Sequence, residues 1–373
     1  MRALLRAVST PLVAVILGIL LGSVIIEVSG YNAIAAYVSL FQGAFGSGYS
    51  IANTLANAVP LILAGLGVAV GFRAGLFNIG AEGQYWMGAI AAVWVGYAVN
   101  LPWYLHIPLA LAAAAVAGAL WGGIVPGLAK AYAGAHEVIT TMMMSYVAIF
   151  FSHYLLENGP MMEPGYVPQS PVIRSSAFLP VLVKGTQLSA GIFVALAAVA
   201  VVYWVLYYTT WGFEIRALGL NRRAARYGGM PVQRNIVLAL AVSGLLAGLA
   251  GAAQMMGVQH RLYDSFSSGY GYTAIVVALL AKNDPIGVVF SALLFAALGT
   301  GAQYMQIGAN VPGRMTDVIT GLIVFFVAAE RMVELASRWL AKRRQQRRSQ
   351  AGRPGVGPAQ GRGAELESKG AGV

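Results

Sequence analysis

Long apolar runs alternate with short polar breaks along nearly the whole chain. A helix needs about 20 mostly apolar residues to cross a bilayer. Runs of that order fall at Leu12–Val28, Ile51–Val70, Tyr85–Val99, Ile107–Leu128, Val138–Leu156, Leu188–Tyr208, Ile236–Met256, Ile286–Gln303 and Val318–Val333. Gly257–Asp284 is irregular: only Tyr272–Ala281 is solidly apolar, which is short for a crossing and predicts a re-entrant or broken helix. Within Ser29–Ser50, Tyr31, Ile34, Ala35, Val38 and Phe41 recur at helical spacing and predict an amphipathic helix lying on the surface. The pattern predicts an all-α polytopic membrane protein with about ten transmembrane helices. Eight or nine crossings plus a re-entrant hairpin at 257–284 is the other count it allows.

One break differs from the rest. Gly71–Gln84 packs four glycines with Arg73, Asn78, Glu82 and Gln84 between two apolar runs. Non-helical backbone at membrane depth has to face protein, a water-filled cavity or the interface, because an unpaired polar group in lipid costs several kcal/mol. The stretch reads either as a short loop or as a broken, cavity-facing element of a transport path. There is a faint echo of it. Leu63–Leu66 and Leu246–Leu249 both read Leu-Ala-Gly-Leu, and each ends a run that leads into a glycine-containing break. Transporters often carry such paired broken segments in their two halves; chance recurrence of small residues is the alternative.

Charge orients the runs. Arg2 and Arg6 precede the first, Arg73 and Lys130 follow the second and fourth, and Trp211–Arg234 holds five arginines against Glu214 alone. By the positive-inside rule all of these are cytoplasmic, as is the basic stretch Arg338–Arg348. Ten crossings with the N- and C-termini cytoplasmic satisfy every one. Trp103 and Tyr104 suit an interfacial aromatic belt, and Glu157–Gln187 is an outside loop. The composition agrees: 58% hydrophobic and 10% charged, against about 25% charged in soluble domains. The net charge of +11 follows from orientation, so no nucleic-acid partner is implied. The run Pro11–Ile26 is long for a secretory signal and no A-x-A site follows it, which favours an uncleaved first span. The expected organisation is a cytoplasmic N-terminus at 1–11, a transmembrane domain at 12–336 and a tail at 337–373, basic and then disordered.

Catalytic constellations are missing. There is no cysteine, no Gly-x-x-x-x-Gly-Lys-Ser/Thr loop and no Gly-x-Ser-x-Gly elbow, and His106, His136, His153 and His260 have no metal-ligand spacing. The expectation is a transport subunit without its own ATPase site, metal or bound cofactor. Ionisable residues are nearly absent from mid-span: Glu27 and Glu330 lie at span ends. That disfavours an ion-coupled carrier. The candidate solute-path residues are therefore mostly uncharged: Asn53, Asn57, Asn78, Glu82, Gln84, Thr140, Thr141 and Gln254, with Ser145, Ser243 and Gln303 nearby. For each of these, interhelical hydrogen bonding is the competing role. His136 and Glu137 stand where the first turn of the fifth span would be capped.

The basic loop 211–235 has a pattern of its own. It predicts a helix at Phe213–Leu218, a break at Gly219, and a second helix through Tyr227 capped by Asn221. An ordered helix–break–helix on a cytoplasmic face reads as a docking surface; retention of positive charge inside would need arginines but no such order.

These stretches together carry a resemblance. Ala74-Gly-Leu-Phe-Asn-Ile-Gly-Ala-Glu-Gly-Gln84 resembles the signature of ABC importer permeases of the branched-chain amino acid/simple sugar/nucleoside class. Within it, the chain is most similar to the subgroup that works with BmpA-type nucleoside-binding lipoproteins. His136–Tyr146 is similar to a second motif, with Ser145 where the family usually has Asn; Asn158–Ser170 and Ala278–Gly287 match two further blocks. Glu214, Arg216, Gly219, Asn221, Ala224, Ala225 and Gly228 look like the family's coupling helix, with Arg222 inside it. The resemblance spans roughly residues 10–335. It implies a type II importer permease fold in a bacterial cytoplasmic membrane, embedded in lipid. It also implies a second related permease, an ATP-binding subunit that uses ATP and Mg, and an extracytoplasmic solute-binding lipoprotein. The cargo it implies is a nucleoside, with a simple sugar as the alternative.

Overall fold

The computed structural model describes residues 2–322 and 325–326, with side chains from residue 15 onward. The described chain is helical: α1 (Arg2–Val28), α2 (Ala33–Phe45), α3 (Gly48–Arg73), α4 (Ala81–Ala98), α5 (Trp103–Gly122), α6 (Leu128–Tyr132), α7 (Glu137–Glu157), α8 (Gly191–Tyr208), α9 (Thr210–Leu220), α10 (Arg222–Tyr227), α11 (Val232–Gln254), α12 (Tyr270–Leu280) and α13 (Pro285–Ala309). Residues 314–322 begin one more helix. Among the described residues six stretches are long and apolar enough to cross a membrane: α3, Trp103–Tyr132, α7, α8, Val232–Gln259 and α13. The protein is thus a multi-pass membrane protein. The second half of the tenth expected run and the tail at 337–373 lie outside the described residues.

Helix α3 is the axis of the bundle, with every residue from Ala58 to Gly71 buried. It packs against α11, α12 and α13. Glycines set the spacing. A Cβ on Gly67 would lie 2.5 Å from the Ser243 carbonyl oxygen, one on Gly88 2.3 Å from Gly248 Cα, and one on Gly118 2.2 Å from the Gly244 carbonyl oxygen. In lipid there is little hydrophobic gain in joining two apolar helices, so close backbone approach through small residues supplies the contact. Helices α4, α5 and α11 meet on this surface.

Two helices are longer than a regular α-helix accounts for. α5 runs through a π turn, Gly123–Gly127, into α6; α11 runs through another, Met255–Gln259. The first turn contains Pro126, which has no N–H for the helical ladder, and a wider turn absorbs that loss.

The helix expected within 29–50 is α2, and its small residues are the ones that face the bundle. Ala33, Ala36, Gly43 and Ala44 are buried, while Ile34, Val38 and Phe41 face outward. Gly43 and Gly301 explain the seating against α13: a Cβ on Gly43 would sit 2.4 Å from Tyr304 Cβ, and one on Gly301 2.6 Å from the Leu40 carbonyl oxygen.

The break at 257–284 also takes shape. Residues 260–264 pair with the loop at 157–187: Ser170 N–H donates to Leu262 O (2.9 Å), Ile173 N–H to His260 O (2.9 Å), and Arg261 bonds Glu163 (3.1 Å). α12 then runs for only 11 residues. This is the broken, short helix that the pattern predicts.

Candidate functional site

The stretch 71–84 leaves α3 through a closed turn. Gly75 has φ +70°, the Leu76 N–H donates to Gly71 O (3.0 Å) and the Gly75 N–H to Phe72 O (3.0 Å). That is a Schellman ending, which needs a left-handed residue where glycine stands. The chain then passes extended to Gly80 and starts α4 at Ala81.

Asn78 is fully buried and holds this passage. Its Nδ2 donates to Gln84 Oε1 (2.9 Å) and Ser243 Oγ (2.8 Å), and its Oδ1 accepts from the Gly80 N–H (2.9 Å). α7 supplies the other acceptors for the start of α4. Thr141 Oγ1 accepts from Ile79 N–H (3.2 Å) and Ser145 Oγ from Gly83 N–H (3.2 Å). A serine serves at 145 because a Cβ on Gly83 would already lie 2.5 Å from Ser145 Cα.

Glu82 is 3% exposed. Its Oε1 accepts from Trp86 Nε1 (2.9 Å) and Ser267 Oγ (2.5 Å), and its Oε2 from the Gly271 N–H (2.8 Å). It therefore joins the first turn of α4 to the first turn of α12. Aromatic rings surround the junction: Phe266 lies 4.4 Å from Trp86 and 5.6 Å, near parallel, from Tyr85. Tyr270 continues the line, its hydroxyl bonding Asn57 Oδ1 (3.4 Å), and Asn57 Nδ2 donates to Thr300 Oγ1 (3.0 Å).

The span from this junction to the Arg73 end follows from α12. Its C-terminal end is held by Arg73, whose Nε donates to Asn283 O (2.9 Å). Gly271–Leu280 at about 1.5 Å rise puts Gly271 about 15 Å from that end. Glu82 is level with Gly271.

A second cluster lies at the Arg73 end. Arg73 also donates to Tyr207 Oη (3.2 Å), Tyr207 donates to Asp284 Oδ2 (3.1 Å), and the Arg216 guanidinium lies over the Tyr207 ring at 5.4 Å. Here α9 and α10 are docked. Asn235 Nδ2 donates to Glu214 Oε2 (2.7 Å) and Arg222 donates to Gly75 O (3.3 Å). The expected break at Gly219 is not there: α9 continues through Gly219 to Leu220, and the chain breaks at Asn221. A glycine inside a helix costs only about 1 kcal/mol, and Thr209 caps α9 through the Gly212 N–H (3.1 Å). Gly219 serves proximity instead, since a Cβ on it would lie 2.1 Å from Arg73 O. Asn221 caps α10 as expected, accepting from Arg223 N–H (3.0 Å) and Ala224 N–H (3.1 Å). Leu220 and Tyr227 are 89% and 94% exposed, so the pair of helices presents apolar side chains ringed by arginines.

The family described as "Branched-chain amino acid transport system / permease component" matches residues 50–328. The chain belongs to that permease family. It is 41% identical to the guanosine ABC transporter permease protein NupP of Bacillus subtilis, covering 89% of this chain and 96% of that one. It is 38% identical to the nucleoside ABC transporter permease protein NupB of Lactococcus lactis (88% and 93%) and 37% identical to the glucose ABC transporter permease protein TsgB13 of Haloferax volcanii (86% and 87%). The two bacteria each hold a second, more distant similar permease, NupQ at 29% and NupC at 26% identity.

Placed on this family permease, the candidate path residues divide. Asn78 and Gln84 bond each other, and Thr141 supports the same turn through the Ile79 N–H. Glu82 heads a separate network with Trp86, Ser267 and Gly271, and Asn57 bonds Tyr270 at the start of α12. Asn53 joins neither: its Oδ1 accepts from the Gln187 N–H (3.1 Å) and anchors the end of the loop at 157–187. Thr140 bonds back to His136 O and Glu137 O of its own helix. Gln254 is buried on α11. His136 makes no side-chain cap to α7; Glu137 in the first turn instead pairs with Lys130 at 2.6 Å. The residues missed from the sequence are Tyr85, Trp86, Phe266, Ser267 and Tyr270. The Gly/Ser/Tyr run at 267–272 was their only trace.

Asn221→Ala removes the cap of a helix only six residues long. The expected cost is about 1 kcal/mol, local to α10. Hydrogen exchange in the membrane-embedded complex checks it: amides of 223–227 exchange faster, while those of α3 and α11 are unchanged.

Proposed function

We propose that this chain is a transmembrane permease subunit of an ATP-binding cassette importer that moves nucleosides by alternating access. The supporting observation is its near full-length likeness to permeases named for guanosine and nucleoside transport, at 41% and 38% identity. The interior suits such cargo, because a path edged by amides, hydroxyls and aromatic rings hydrogen-bonds and stacks without fixed positive charge. The chain sits in a bacterial cytoplasmic membrane, crosses it ten times and keeps both termini inside, with the Arg73 cluster at the cytoplasmic surface. Residues 1–11 precede the transmembrane domain 12–336, and 337–373 form a cytoplasmic tail.

A second permease completes the path; the paired relatives NupP with NupQ and NupB with NupC support a related but distinct partner. The ATP-binding subunit, which uses ATP and Mg, docks on α9–α10 through Leu220, Tyr227 and the flanking Arg222, Arg223 and Arg226. A surface-anchored lipoprotein delivers the solute. The chain has no phosphate-binding loop of its own, so hydrolysis occurs in the partner. Uptake of labelled guanosine and uridine in a strain lacking this gene tests the reading. Uptake is expected to fall and to return on complementation; unchanged nucleoside uptake overturns it. The likeness to a glucose permease supports a second reading, which the same strain decides with labelled glucose.

A further inference from the structure

Two helices begin at one carboxylate. α4 starts at Ala81 and α12 at Tyr270. A Cβ on Gly271 would lie 2.3 Å from the Glu82 amide nitrogen, so the two N-termini abut. Each helix N-terminus carries about half a positive charge. Discontinuous helices that meet in mid-membrane with their N-termini together form a ready site for an anionic group. Here Glu82 occupies that place. The three groups that donate to it, from Trp86, Ser267 and Gly271, are all uncharged. One carboxylate against two half charges leaves the junction close to neutral. Beside it the Tyr85 hydroxyl is fully buried and has no hydrogen-bond partner, and its ring lies between those of Phe266 (5.6 Å) and Tyr270 (6.0 Å). An orphaned buried hydroxyl costs about 1–3 kcal/mol, which a hydrogen-bonding solute would offset.

We propose that Glu82 sets the charge selectivity of the path. By cancelling the two helix N-termini it leaves a wall that accepts an uncharged, hydrogen-bonding solute with a stacking ring. The same cancellation removes the attraction that the bare junction would exert on a carboxylate or a phosphate. Glu82 is a positioning residue: its oxygens are taken up by α4, α12 and Ser267, and it acts through the field at the junction. The inference rests on the importer reading above and narrows its solute to uncharged molecules.

The chain has no cysteine, so a single one can be placed at Ser268, which is exposed and next to Ser267. In the purified complex in lipid nanodiscs, Ser268→Cys is modified with an anionic (sulfonatoethyl) and a cationic (trimethylammonioethyl) methanethiosulfonate. After correction for intrinsic reactivity, the two rates are expected to agree within about threefold when Glu82 is present. Glu82→Gln is expected to shift the ratio toward the anionic reagent by about tenfold or more, and Glu82→Asp to leave it in place. An unmoved ratio in Glu82→Gln overturns the proposal, even if uptake falls, because a purely structural role predicts that result. Should Glu82→Gln not assemble, the Glu82 form decides alone: a preference for the anionic reagent above about tenfold means the junction is not neutralised. The ratio does not depend on which solute is carried, so failure of the nucleoside reading would show in uptake and not here.

Discussion

Gly219→Val is expected to cut uptake steeply while the permease still reaches the membrane and, with the ATP-binding subunit proposed above, ATP is still hydrolysed. The reason is a contact between backbones. A Cβ at 219 would stand 2.1 Å from the Arg73 carbonyl oxygen, 3.0 Å from the Arg73 carbonyl carbon and 3.0 Å from the Gly75 nitrogen. No side chain can rotate out of the way, so α9 has to lift off the end of α3. Such overpacking typically costs about 1–3 kcal/mol, and every 1.4 kcal/mol is about a tenfold change in the population of the seated state. The lift also stretches the Arg222 bond to Gly75 O. Helices α9 and α10, the proposed docking face, and the passage that leads to Asn78 and Glu82 thereby lose their mechanical tie. Uptake in proteoliposomes is expected at or below about a tenth of the wild type, with basal ATP hydrolysis retained. Gly228→Ala in the same loop is the control: its added Cβ meets nothing closer than 3.5 Å, and uptake should persist. Normal uptake in Gly219→Val would show that the seat on Arg73 is dispensable.

Gly248→Leu is expected to prevent assembly altogether. Gly248 stands where α4, α5 and α11 cross. Its added Cβ would fall 2.3 Å from the Ala114 carbonyl oxygen, and Gly88 has no more room on the other side. A leucine at 248 drives α11 away from α5. The loss is expected near the upper end of the usual overpacking cost of about 1–3 kcal/mol, since the obstacle is backbone that no rotamer change can clear. Thermal unfolding in detergent, followed by size-exclusion profile, measures it. Gly299→Ala, where nothing lies within 4 Å, should leave the profile unchanged. A monodisperse Gly248→Leu permease with wild-type thermal stability would refute the close-packed crossing.

Much of this architecture is legible in the sequence because membrane spans announce themselves by length. α3, α7, α8 and α13 fall within a few residues of their apolar runs. The start of α4 is not legible in that way. Ala81–Gln84 is polar, and its start is held by N–H groups of Ile79 and Gly83, for which Thr141 and Ser145 are acceptors from 62 residues away, with Asn78 accepting locally from Gly80. The same holds for Gly219, where propensity suggests a break and a distant carbonyl explains the glycine. Polar residue types alone could not separate Asn57 and Asn53 either. They share a helix face, yet one bonds α13 and the other the loop that ends at Gln187. The distance of Glu82 from the Arg73 end is the clearest case: it is set by the length of α12, whose far end Arg73 holds from 210 residues away in sequence.

Helix α2 carries one last implication, for drift. Its bulky side chains, Ile34, Val38 and Phe41, lie on the outside, and its alanines and Gly43 on the inside. Conservative-looking exchanges therefore have reversed consequences. Swapping one large aliphatic for another on the outer stripe only changes what lipid or a neighbouring helix touches. Enlarging Gly43 by a single methyl group strikes Tyr304 of α13. Along this helix the least conspicuous residues are the least replaceable.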